Sequence, residues 1–139
     1  MKYHETKITV RFNEIDAYRV AWHGHYVAWM EIGRNAVAGQ FGLDAEQLVA
    51  AGYLGPVVAL ELKFLRPARF NDELTIKTSL RRSQTATLEF VTIIVGSDGK
   101  KCATGTTTHA LTDMEGVLQF QLPPVISERV NRLLASLEL

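Results

Sequence analysis

VRFNEIDAYRVAWHGHYVAWMEIGRN, residues Val10 to Asn35, is the stretch around which the rest of this 139-residue chain is organised. It reads as a short strand, an acidic turn, a His-Gly-His step and a helix. From His25 to about Gln40 the apolar residues Tyr26, Val27, Ala28, Trp29, Met30, Ile32, Ala36, Val37 and Ala38 point nearly all round the axis. A helix of that composition is expected to be buried on several sides. A flat sheet covers one face only, so the pattern calls for a curved antiparallel sheet wrapped around the helix. The polar exceptions Glu31, Arg34 and Asn35 fall near one stripe, as spacings of three and four require, and are expected to face a cleft or a subunit boundary.

The helix entrance carries the chemistry. Gly24 lies between His23 and His25, and the first turn of a helix leaves backbone N–H groups without partners at the positive end of its dipole. Donors near His25 or Tyr26 would suit a developing oxyanion, and glycine would let a carbonyl come close. Asp16, in the connection between strand and helix, can face that helix end. A carboxylate opposite an oxyanion hole is a minimal acyl-transfer site. Plainer readings stand beside this one. An aspartate before a helix is most often a cap or turn former, which spacing alone favours. His23 and His25 lack the further ligands that zinc needs, so no metal is expected. Tyr26, Trp29 and Met30 suit core packing.

Other chemistries lack their motifs. There is no G-x-S-x-G elbow, no phosphate-binding G-x-x-x-x-G-K-[ST] and no G-x-G-x-x-G. Cys102 falls in an expected strand, where a buried, inert thiol is the simpler reading.

The spaced residues Phe12, Asp16, Val20, Trp22, Tyr26 and Trp29, followed by Arg34-Asn35, resemble the entry of the hot-dog-fold acyl-CoA thioesterases, in the 4-hydroxybenzoyl-CoA thioesterase branch. His23 is similar to the Tyr-His or Trp-His step of the branch members associated with the Tol-Pal envelope system. Phe12 stands where those enzymes usually have tyrosine. The segment Phe64 to Leu74, with Pro67-Ala68 and Asp72, resembles the family's strand end.

The resemblance implies an α+β hot dog fold, a homodimer or homotetramer, and hydrolysis of an acyl-CoA or acyl-carrier thioester. It implies Asp16 as nucleophile or general base, with a lesser part for His23. No cofactor is expected beyond the CoA of the substrate itself, whose phosphates Lys63, Arg66 and Arg69 are candidates to hold. Two alternatives come from other classes: a module that binds acyl-CoA or an acyl carrier without turnover, and a hot-dog hydratase or dehydratase.

Composition sets bounds on these readings. Fifteen basic and fifteen acidic residues cancel, and nucleic-acid binding normally shows as a basic excess. One cysteine excludes an intramolecular disulfide and, with no apolar signal region, leads us to expect a cytoplasmic protein. No apolar run is long enough to span a membrane.

Length and the absence of linkers or repeats fit one domain over residues 1–139. Along it, Thr6 to Phe12 alternates as a strand, and a short helix is expected to begin at Asp44. Period-two runs cover Val57 to Leu65, Leu74 to Leu80, Ala86 to Val95 and Cys102 to Thr112. Ser97-Asp98-Gly99-Lys100 reads as a hairpin turn, Gly105 as a bulge or a close approach of ligand, and Val117 to Phe120 as a short edge strand. Pro123-Pro124 opens a last helix with Ile126, Val130, Leu133, Leu134 and Leu137 on one face.

Overall fold

The computed structural model describes residues 2–137. Strands β1 (His4–Thr9), β3 (Val57–Phe64), β4 (Glu73–Arg81), β5 (Thr87–Gly96) and β6 (Lys101–Ala110) form one antiparallel sheet in the order β1-β4-β5-β6-β3. Helix α1 (His23–Ala38) lies against it, and β2 (Tyr53–Leu54) pairs with β7 (Thr112–Asp113) to one side. Helices α2 (Ala45–Ala50) and α3 (Pro124–Leu137) complete the chain. This is the α+β arrangement that the alternating strands and single apolar helix imply, and the hot dog fold that the family resemblance implies.

Alternation explains which face of the sheet holds the helix. Leu74, Ile76, Thr78 and Leu80 of β4 are buried, as are Leu88, Phe90, Thr92 and Ile94 of β5. The register carries that face through Phe90 to Thr107 and Thr92 to Gly105, then on to Leu60 and Leu62 of β3. Two groups of buried side chains result. One joins Trp29, Met30 and Tyr26 to Leu74, Ile76 and Ile94, and the other joins Val37 and Ala38 to Phe90, Leu111 and the apolar face of α3. That α3 face is the five residues expected of it.

Several expectations change in contact with the rest of the chain. Helix α1 starts at His23 and buries Tyr26, Trp29, Met30, Gly33, Val37 and Ala38. The opposite stripe of Ala28, Ile32 and Asn35 is exposed, so this chain alone does not bury the helix on several sides. Pairing of β1 ends at Thr9 opposite Glu73. Phe12 falls in a 3-10 turn instead of the strand and lies edge-on to Phe70, because the Glu14 carboxylate accepts the Arg11 backbone N–H while the Glu14 N–H returns to the Arg11 carbonyl, closing that turn. Val117 to Phe120 is not a strand. Asp113 accepts from the Glu115 and Val117 N–H groups, Gly116 turns at φ 86°, and only a single bridge joins Thr112 to Leu118.

Gly105 marks no bulge. Its register is regular, and a Cβ there would come within 2.8 Å of the Met30 methyl and of the Glu61 carbonyl oxygen. The close approach is that of α1 itself. Asp44 does begin α2, where it and Gln47 cap each other.

Candidate active site

The segment between β1 and α1 is pinned from beneath before it exposes anything. Glu14 is buried; it accepts the Trp29 indole N–H at 3.0 Å and the Arg11 backbone N–H at 2.7 Å, and it meets the Arg11 guanidinium. Burial opposes its charge, but the Arg11 and Trp29 hydrogen bonds outweigh that and hold the carboxyl below the usual range. The Glu14 carbonyl also accepts the Trp22 N–H at 2.9 Å, and Ile15 bridges to Ala21. Both ends of the turn are therefore tied to the start of α1.

Asp16 sits at the base of this turn. One of its oxygens, Oδ1, accepts the Tyr18 N–H at 2.8 Å, so the turn-forming role is real. The other has no partner among the described residues. Asp16 and His23 line one open cavity of about 500 Å³ with Trp22, Tyr26, Phe64 and Arg66. Its walls are mainly apolar and aromatic, with a carboxylate, an imidazole and a guanidinium at the edge, the mixture common to small-molecule sites.

The helix end supplies donors, and the free ones begin before His25. The His25 N–H is spent on the Trp22 carbonyl at 3.0 Å, and Tyr26 lies a residue further into the helix. His23 and Gly24 are the first two helical positions, and their N–H groups have no partner among the described residues. Gly24 also has a packing reason to be small. A Cβ there would lie 2.2 Å from the Trp22 ring, so the glycine makes room for that indole.

The remaining candidates divide by position. The Tyr26 hydroxyl accepts the Ala68 N–H at 3.1 Å and its ring packs on Trp29 and Phe64, which is a structural part. His25 packs against Trp22 and does not line the cavity. Arg66 lines it, held at 2.9 Å by Asp98. Lys63 projects from the opposite face of β3 to Phe64, beside Thr104 on the outer side of the sheet, and Arg69 also lies off the cavity. Cys102 is buried, which raises its thiol pKa and fits an inert role. Among the described residues no three His, Cys, Asp or Glu side chains cluster as a metal would need.

Phe64, Leu65 and Tyr18 belong to the cavity without having been singled out as site residues from the sequence. Glu14 is a further omission, for which Arg11-x-x-Glu14 was the available signal.

A hot dog sheet with an acidic turn at the mouth of its helix defines a thioesterase-type protein, and the comparisons agree. Residues 10–130 match the family model of the thioesterase-like superfamily, and the chain belongs to that superfamily. It is 33% identical to a putative esterase of Synechocystis over 134 residues, 95% of this chain and 81% of that protein. A putative acyl-CoA thioesterase of Bacillus subtilis is 24% identical over 115 residues, 83% of each chain. The DHNA-CoA thioesterase of Staphylococcus aureus superposes with a TM-score of 0.85 at 21% identity, covering 97% of this chain and 93% of that one, a likeness of fold.

Proposed function

We propose that this protein hydrolyses acyl-CoA thioesters at the Asp16 cavity. The observation that carries the reading is the meeting, in one apolar cavity, of a carboxylate with one unpartnered oxygen and the open N-terminus of α1. The thioester carbonyl oxygen takes the His23 and Gly24 N–H groups as negative charge develops on it. Asp16 then adds to the carbonyl carbon or draws the proton from a water that does so, and the C–S bond breaks to release the CoA thiol. By either route water supplies the oxygen of the product acid. Arg66, which lines the cavity and pairs with Asp98, is the cation we assign to a CoA phosphate.

A panel of aryl, short-chain and long-chain acyl-CoA esters tests this. Catalytic release of free thiol from at least one ester is expected. Binding without release would make the protein a binding module, and loss of an enoyl chromophore without thiol release would make it a hydratase.

The two sheet edges support a paired assembly. Strand β1 presents His4, Glu5 and Lys7, which blunt an edge, whereas β3 exposes Val57, Val58, Leu60 and Phe64 along an unpaired one. We read β3 as the seam of a homodimer, free to build a dimer of dimers. Light scattering at micromolar concentration should give at least twice the chain mass, and a monodisperse monomer would remove this part of the proposal.

A further inference from the structure

We propose that Arg19, at the tip of the turn that carries Asp16, is a phosphate-binding residue that selects thioesters on a phosphorylated carrier, either CoA or a phosphopantetheine group. The inference rests on the thioesterase reading of the Asp16 cavity and adds to it a cation outside the cavity lining.

Conformation carries the assignment. The Asp16 N–H donates to the Val20 carbonyl at 3.0 Å and the Arg19 N–H to the Asp16 carbonyl at 3.0 Å, so residues 17–19 form a three-residue hairpin loop. The last residue of such a loop takes the left-handed conformation, and glycine is the usual choice there. Arg19 stands in that place at φ 65°. Every other described residue at positive φ is a glycine or Asn71, and asparagine tolerates the conformation because its short polar side chain can bond locally. A long side chain has no such relief.

Nothing within the chain compensates. Arg19 is exposed, and its guanidinium makes no hydrogen bond or ion pair among the described residues. An unfavourable conformation kept by a cation without a partner points to a ligand outside the chain.

Its neighbours indicate which ligand. Tyr18 and Val20, on either side of Arg19, line the Asp16 cavity. Lys63 and Arg69 lie off that cavity, and the Arg66 guanidinium is shared with Asp98. Arg19 brings an unshared fork of N–H donors to the cavity mouth, a geometry that suits phosphate oxygens.

The test is calorimetric titration of CoA and of 4′-phosphopantetheine into the full chain and into Arg19→Asn, which suits the same backbone conformation without the charge. CoA should bind the variant at least fivefold more weakly, and the variant should melt no lower than the parent. Raising the salt concentration should narrow the difference. An equal loss with 4′-phosphopantetheine assigns Arg19 to the phosphate beside the pantetheine, and a loss confined to CoA assigns it to the nucleotide phosphates. Neither titration needs turnover, so CoA binding through Arg19 in a protein that releases no thiol would refute hydrolysis and leave this proposal standing. Equal CoA affinity in parent and variant, no saturable CoA binding, a loss indifferent to salt, or a lower melting temperature of the variant would each overturn it.

Discussion

Glu14 and Asp16 stand two positions apart between β1 and α1, yet one is 3% exposed and fully engaged while the other opens onto a cavity. Glu14 receives the Trp29 indole, the Arg11 backbone N–H and the Arg11 guanidinium. Among the described residues the Asp16 carboxylate receives only the Tyr18 N–H. A carboxylate whose acceptor sites are filled by the protein is an anchor. One with an oxygen to spare can meet a substrate. The short span between them lets the anchor on Trp29 fix the placing of Asp16 relative to the same helix.

The largest effect expected is on turnover. Asp16→Asn keeps size and the acceptor for Tyr18 but removes charge and basicity, so thioester hydrolysis should fall by about 10² to 10⁴ with little change in melting temperature. Rates and acyl-CoA affinity measured on the same preparation check this. A variant that turns over near the parent rate would end the division of roles between the two acids.

Glu14→Leu should invert that profile. It leaves the buried Trp29 indole N–H and the half-buried Arg11 N–H without their acceptor, at a cost of roughly 1–3 kcal/mol in urea unfolding. Its hydrolysis rate per folded molecule should stay within about tenfold of the parent. An unchanged unfolding midpoint would mean that Glu14 anchors nothing.

His23→Ala comes next. The side chain faces the cavity, but the donor assigned to the oxyanion is its backbone N–H, which alanine retains. A loss of less than about tenfold is expected, and a loss exceeding that of Asp16→Asn would transfer the base to the imidazole.

The same local-against-distant division marks what was legible in the sequence. Period-two alternation across β3 to β6, the five-residue face of α3 and the Asp44 cap each depend on neighbours within a turn or a strand, and all were readable. Asp16 and His23 were readable as neighbours of a helix entrance. The free N–H groups at His23 and Gly24 lie one or two residues before His25 and Tyr26, because the helix begins at His23 instead of His25. The Gly105 contact with Met30 and the His109 bond to Gly55, 54 residues away, leave no periodic trace. Nor does a buried glutamate, which looks in sequence like any charge in a polar turn.

The smallest effect sharpens the comparison by pH. The folded-state pKa of Glu14 lies below the ordinary glutamate value of 4.5, so its charged form is favoured by folding. Its contribution is therefore complete above about pH 4.5 and is lost as pH falls through the lowered folded value. Glu14→Gln cannot lose what it does not have. The parent should exceed this variant in unfolding free energy at pH 7, and the gap should close on acidification below pH 4.5. Thermal unfolding of both proteins at matched ionic strength from pH 7 to pH 3 follows the gap directly. A gap that stays constant over that range would show that the stabilisation comes from the shape and hydrogen bonding of the side chain, with no share from its charge.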